Sequence, residues 1–558
     1  MVHHNPGEPQ TVSKFLDPSF LKSSGYDAKV FFLFEAAQFG IDWQVFDKGI
    51  FPESTPERKW VDDKNKVLQK KYTEAKSAGL QVYCMLDMLV FPTKLIEKYK
   101  TQITNNQGKI DISKPFTQKC IRSLINQIFD RYPQMDGLII RTGETYLQDA
   151  PYHKGGSPVV NSYGEDHVTL INILREEVCV KRNKYLFYRT WDFGKFHSLP
   201  KDYLEITDQV QPHEKLYFSI KHTMVDFWRG AITKPDLDYS KFDQYWIDQA
   251  CVYGVPFNPC IGIGKHQQIV EVQAQREYEG KAAHPNYIAK GVIDGFEELK
   301  TLGSKQPYSL NQIKDNPLFK GVWTWSRGGG WRGPYIKNEF WAELNAHIIT
   351  QWAKHPNLTE EELFRTFALE KGLAKKDVSK FRELCLLSAD GVMEGHYSKM
   401  GGVYLNWTRD NTISGLHYLK PYFDKIIDEK KVKAYLNEKS DAVKIWERIE
   451  NLSKKLHFKD KKLQKFVRVS SVYGRLKFQL FDAAWEVMLN GYAGEKEGNI
   501  DLIKLKKNIR YYDRTLLKWQ KFVNSHPESA SIYLTTYMDK NEDVGIGKTV
   551  DYYRKMLK

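Results

Sequence analysis

The sequence predicts an α/β chain, a (β/α)8 TIM barrel over residues 26–345 followed by an all-α C-terminal domain over 346–558, with residues 1–25 as a lead-in. Three observations predict it. Short apolar runs alternate with helical patterns through the first part of the chain. Polar residues begin directly after almost every apolar run, as they do at the C-terminal mouth of a barrel. After residue 340 the short runs give way to long helical patterns. A doubly wound sheet is the alternative. It is disfavoured because strand-end polar groups are spread over nearly all the strands and no glycine-rich phosphate turn follows the first.

In order, the first strand is Lys29–Phe34, ending at Glu35, with an aromatic-rich loop to Trp43. A charged helical stretch covers 56–78, and Leu80–Leu86 is the second strand, ending at Asp87. Pro92 to Tyr99 opens a further helix, and the short Lys109–Ile112 stands in for a third strand. An amphipathic helix over 116–131 leads into Asp136-Gly-Leu-Ile-Ile-Arg-Thr-Gly-Glu144, whose three apolar residues read as a buried parallel strand. Tyr185–Tyr188 then runs into Arg189, Trp191 and Asp192, and Leu216–Ile220 into Lys221, His222 and Asp226. Ile269–Ala274 runs into Glu277, and Gly321–Trp325 into Arg327, three glycines and Trp331. Helical patterns over 359–371, 376–390, 430–457, 462–491 and 500–525 fill the C-terminal part.

At 558 residues the chain exceeds one ordinary core, which implies two or more domains. No run of 18 apolar residues exists, so no membrane helix is expected, and the first 25 residues lack the apolar core of a signal peptide. The net charge of +14 would suit a polyanion partner. Many lysines, however, lie between apolar positions at helical spacing in the C-terminal third (Lys430, Lys431, Lys454, Lys455, Lys461, Lys462, Lys506, Lys507), which reads as solvated helix faces. No nucleic-acid motif accompanies the charge, so neither nucleic acid nor a membrane is the expected partner. The six cysteines form no CxxC pair and no Cys/His cluster, which argues against zinc and favours a reducing, cytoplasmic compartment; a removed N-terminal signal would instead allow a periplasmic or secreted one.

Three carboxylates stand at the ends of separate strands: Glu144, Asp226 and Glu277. Hydrolysis of a glycosidic bond needs one protonated carboxyl to give a proton to the leaving oxygen and a second, ionised one to activate water or attack the sugar. Three cations share these ends: Arg141, Arg189 and Lys221. They are out of place for a neutral sugar and suit a substrate with its own carboxylate. Trp191 and Trp331 are candidate stacking surfaces, and His222 reads as a hydrogen-bonding helper rather than a metal ligand. Read singly, a strand-end carboxylate is more often a helix cap or ion-pair partner, and Trp323 and Trp325 are more often core.

Taken together and in order, these motifs resemble the family 67 α-glucuronidases. Asp136–Glu144 resembles that family's strand ending in its general acid, which implies that role for Glu144. Tyr188-Arg189 resembles its Tyr-Arg strand, whose arginine binds the uronate. Ile220-Lys-His-Thr-Met-Val-Asp-Phe227 resembles its Ile-Lys-x-x-x-x-Asp-Phe segment, which implies a carboxylate-holding Lys221 and a water-activating Asp226. Gln275-Arg-Glu-Tyr-x-Gly280 resembles its Gln-Glu-Tyr-x-Gly motif, making Glu277 the other member of that pair, and Trp331-Arg-Gly resembles its Trp-Thr-Gly. The family's Glu-Arg pair after the first strand stands here as Glu35-Ala36, and its lysine before the acid as Arg141. The family's separate N-terminal α/β domain is not expected here.

The resemblance implies an inverting, exo-acting hydrolase that releases an α-linked uronic acid, glucuronate foremost, without metal or cofactor, and a homodimer through the helical domain. A hydrolase for another α-linked uronic acid, a non-catalytic carbohydrate binder and a polyanion-binding protein are the alternatives.

Overall fold

The computed structural model describes residues 13–32, 35–143, 145, 147, 150–156, 163–192, 195–223, 257–274, 284–297, 307–326, 338–396, 398–400, 415–529 and 546–557. Seven parallel strands form one sheet in strict sequence order: β1 (Ala28–Phe31), β2 (Gln81–Asp87), β3 (Gly137–Arg141), β4 (Tyr185–Arg189), β5 (Leu216–Lys221), β6 (Gln267–Gln273) and β7 (Phe319–Trp325). Among the described residues helices lie in the crossovers from β1 to β5 and from β6 to β7, among them Pro56–Ser77, Pro115–Arg131 and Tyr163–Leu174; most of the connection from β5 to β6 falls outside them. The expected third strand at Lys109–Ile112 is not one. It contributes only an antiparallel bridge between Thr104 and Ile110 in the approach to the Pro115–Arg131 helix. β2 pairs directly with β3, Tyr83 opposite Gly137 and Asp87 opposite Arg141.

The sheet curls until its edges meet. The Tyr26 phenol, just before β1, hydrogen-bonds Thr324 in β7 and the Ser326 hydroxyl at 3.0 Å, and the Phe32 ring lies 6.3 Å from that of Trp325. Phe15 and Leu16 lie along this seam, the Leu16 carbonyl accepts from Lys29, and the Lys14 amide is held by Glu339 at 2.8 Å. A barrel-like α/β body results, followed by a helical region.

Strict alternation explains the core. Val82, Cys84, Leu86, Leu138, Ile140, Leu186, Phe218 and Ile220 face outward and are buried under the helices. Tyr83, Met85, Ile139 and Phe187 face inward and meet Val30, Tyr217, Ile269 and Trp323. Strands covered on both faces carry apolar side chains in both registers, which is why they read as unbroken apolar runs. β7 departs from regularity: its register against β6 shifts between Gln268 and Val270, and Gly321 takes φ 148° there, a value glycine adopts without strain.

Phe340–Lys354 packs against β7 and begins the helical region. Glu360–Glu370 opens with a complete capping box, in which the Thr359 hydroxyl and the Glu362 carboxylate satisfy each other's backbone amides. Val378–His396, Val432–Ser453, Lys461–Lys496 and Leu502–Ser525 follow the sequence expectation closely. The 36-residue Lys461–Lys496 helix is the axis against which its neighbours pack. Lys430, Lys431, Lys454, Lys455, Lys461, Lys462, Lys506 and Lys507 are all exposed, as helical spacing requires. Among the described residues no helix is long and apolar enough to cross a membrane.

Candidate active site

The inward register that carries Tyr83, Ile139 and Phe187 carries, at the strands' C-terminal ends, Asp87, Arg141, Arg189, Lys221 and Glu271. The same alternation that fills the middle of the barrel with rings therefore ends in a layer of charge, where barrels hold their chemistry.

Arg189 and Glu271 are its centre. Arg189 donates from Nε to Oε1 and from Nη2 to Oε2 of Glu271, both at 2.8 Å, a planar fork meeting a carboxylate. Ser219 Oγ donates to Oε1 at 2.8 Å and Trp325 Nε1 to Oε2 at 3.0 Å. Arg189 is 2% exposed and Glu271 not at all. The guanidinium also lies 5.5 and 5.1 Å from the ring centroids of Trp323 and Trp325, whose indoles stack 5.0 Å apart. Burial by itself would favour the protonated Glu271, but Arg189 and then Lys221 outweigh it and hold the carboxyl below its ordinary value.

Arg141 makes a second fork with Asp87 on the adjacent strand, Nε to Oδ1 at 2.7 Å and Nη2 to Oδ2. Lys221 places its ammonium 3.8 Å from the centroid of Trp191, a close cation–π contact. Behind Trp191, edge-on at 5.0 Å, is the buried His197, which also bonds Thr190 Oγ1 at 2.8 Å and Asn258 Nδ2 at 3.1 Å. Burial, helped by the Lys221 charge, pushes His197 down to about 4. His222, whose amide donates to the Glu271 carbonyl at 2.9 Å, is likewise pushed down to about 4, chiefly by burial. Both are neutral imidazoles at neutral pH.

Of the residues singled out by sequence, the structure brings Arg141, Arg189, Lys221 and Trp191 to this end of the barrel, with His222 beside Glu271. Glu35 is placed apart: its carboxylate pairs with Lys71 on the outer Pro56–Ser77 helix. Glu144, Asp226, Glu277 and Trp331 lie outside the described residues. Sequence reasoning missed Glu271, which sits inside an apolar strand pattern. Its parity with Ile269, two residues earlier on the same face, was the available signal. It also marked Asp87 only as a strand end, not as the mate of Arg141. Among the described residues no group of three or more His, Cys, Asp or Glu side chains could hold a metal ion.

No protein-family model matches the chain, and no curated protein matches it. Among solved structures it is similar to a GH138 enzyme targeting pectin rhamnogalacturonan II, with TM-score 0.59 and 12% identity over 98% of this chain and 63% of that one. The chain thus spans less than two thirds of that enzyme's length. A mutant of Thermobaculum terrenum O-GlcNAc hydrolase (TM-score 0.38, 10% identity, 95% of this chain and 94% of that one) and Dispersin B (TM-score 0.31, 12% identity, 52% and 76%) are more distant and carry no argument. At 12% identity the first likeness establishes the fold alone, a barrel-like α/β body with a helical region.

Proposed function

We propose that this chain is a glycoside hydrolase that removes an α-linked uronic acid, glucuronate foremost, from an oligosaccharide. The observation that carries the reading is the charged inward layer: two arginine–carboxylate forks, and a lysine laid against Trp191, at the end of a barrel where substrates enter. Glu271 and Asp87 match two of the layer's three cations, so its five named charges sum to one positive, for which a neutral sugar gives no reason. A carboxylate-bearing one does, since Arg and Lys are the side chains that hold a carboxylate. The structural neighbour's target, pectin rhamnogalacturonan II, accords with a carbohydrate substrate.

In this reading Glu144 protonates the leaving oxygen while Asp226 and Glu277 deprotonate a water on the opposite sugar face, which inverts the anomeric centre. Room for that water requires the acid and base carboxyls to stand about 6.5–9.5 Å apart. Proton NMR on α-linked glucurono-oligosaccharides tests the proposal. First appearance of β-glucuronate, with turnover lowered at least about a hundredfold by Glu144→Gln and ligand still bound, supports it. Release of the α-anomer overturns the inverting roles. No release from glucurono- or galacturono-oligosaccharides overturns the activity.

A further inference from the structure

We propose that the opposite, N-terminal end of the barrel is a second binding site, a pocket for one flat, uncharged ring compound of the phenol class. A cavity of about 370 Å³ opens there. Its walls come from the first two inward positions of the strands, with the rings of Tyr83, Tyr185, Phe187, Tyr217 and Trp323 around aliphatic Val30, Ile139 and Ile269. Met85 and Trp325 lie further along the same strands, and Trp323 is shared: it walls the pocket and lies 5.5 Å from the Arg189 guanidinium, so a single layer of side chains stands between the pocket and the charged end.

Filled barrels have packed side chains at this level rather than a space. Two small residues on the edge strands account for the difference. Ala28 opens β1 with a methyl group, and Gly321 carries no side chain at the irregularity of β7; a Cβ built on Gly321 would meet nothing within 4 Å. A dry cavity of about 150 Å³ already admits benzene, so this volume suits a substituted or fused ring.

Wall chemistry selects the ligand. Tyr185 and Phe187 stack nearly parallel at 17°, while Tyr83 meets Phe187 edge-on, a set of faces and edges that receives a flat ring. Besides the tyrosine hydroxyls, the pocket's polar groups are threonines and the rim residues. Thr350, only 6% exposed, lies near the Tyr26 phenol, yet its hydroxyl makes no hydrogen bond of normal length among the described residues. It can serve one hydroxyl of a ligand. At the rim Asp27 and Lys354 face each other at 3.6 Å, and the exposed Lys320 and Gln81 stand beside them, directed to solvent rather than into the ring-lined interior. A pyranose, with a hydroxyl on nearly every carbon, would bury several donors against aromatic and aliphatic walls at a cost of about 1–3 kcal/mol each. A phenol buries one.

The probe is 2-naphthol, titrated calorimetrically into the full-length protein, with methyl α-glucopyranoside as the pyranose control. Saturable 1:1 binding of naphthol, a rise in Tm with its concentration, and at least tenfold weaker binding in Ala353→Trp are expected, since Ala353 lines the pocket from the end of the Phe340–Lys354 helix. Tyr217→Ala, which removes one wall, should weaken binding as well and covers the case in which the tryptophan is not accommodated. Lys221→Ala, at the other end of the barrel, should leave naphthol binding unchanged whether or not the glycosidase reading holds. No saturable binding, binding lost in Lys221→Ala but kept in both pocket variants, or preference for the pyranoside would each overturn the proposal.

Discussion

The two ends of one barrel are built from the same strands in the same register and have opposite chemistry. At the N-terminal end the inward positions of β2, β4 and β5 are Tyr83, Tyr185 and Tyr217. Four residues further along each strand they are Asp87, Arg189 and Lys221. Apart from the irregularity of β7 at Gly321, the strands run alike through both ends, so the difference is written chiefly in side chains. Aromatic rings tolerate an incompletely filled space, because each loses only some dispersion contacts at a gap. Buried charges tolerate none: each must find its counter-charge, and Arg189–Glu271 and Arg141–Asp87 do so with paired hydrogen bonds. The charged end is therefore expected to fail sharply when altered, and the aromatic end gradually.

The largest effect should come from Glu271→Gln. The substitution keeps shape and leaves a guanidinium, 2% exposed, without its counter-charge. Breaking one partner of a buried pair costs about 3–5 kcal/mol, which urea denaturation would show as a fall in the midpoint at constant m. Removing both charges with Arg189→Met and Glu271→Leu should recover most of it, because the guanidinium leaves together with its counter-charge. A loss below about 1 kcal/mol in the single variant would mean that Trp325, Ser219 and the stacked indoles, rather than the ion pair, carry this end.

How far this contrast could be read beforehand follows from the same alternation. The strand ends Arg141, Arg189 and Lys221 were visible because charge interrupts an apolar run at its boundary. Glu271 was hidden because it lies within one, where a single polar letter reads as noise unless the face it shares with Ile269 is tracked. Five helices of the helical region were legible because amphipathic periodicity is local, whereas Phe340–Lys354, Leu416–Asp428, with Pro421 inside it, and Ile546–Lys555 were not read. The Lys109–Ile112 misreading has a physical cause: two isoleucines alternating with charged residues fit a strand pattern and a helix approach alike, and only pairing with a neighbour decides. The pocket was not legible at all, because a cavity is what remains after packing; Ala28 and Gly321 are far apart in sequence and meet only when the sheet curls.

Acid sharpens the comparison next. His197 and His222, both at the charged end, are pushed down to about 4, and His153, enclosed by Phe39, Phe51 and Trp60, to about 3, in each case chiefly by burial. An unfolded histidine titrates near 6.5, so between that pH and the folded values the unfolded chain binds protons that the folded one does not. Stability should be fully present above about pH 6.5 and fall as pH drops, each imidazole contributing a slope of up to about 1.4 kcal/mol per pH unit. Chemical denaturation at pH 7.5, 6.5, 5.5 and 5.0 measures it. His153→Phe should flatten the curve by one such slope, and a curve already flat from 7.5 to 5.0 would show that the imidazoles reach water.

The smallest effect belongs to the aromatic end. Tyr83 is 6% exposed and donates its hydroxyl to Gln81 Oε1 at 2.6 Å, its one polar contact with a side chain on that strand. Tyr83→Phe keeps the ring that walls the pocket and meets Phe187 edge-on at 4.9 Å. Only the hydrogen bond is lost, and Gln81 is exposed enough for water to replace it, so the cost should be about 0.5–1.5 kcal/mol. A loss as large as that of Glu271→Gln would erase the distinction between the ends, because it would mean that a polar network, rather than ring packing, holds the N-terminal face. A loss within this range, in a variant that still takes up naphthol, would place the affinity of that face in its rings.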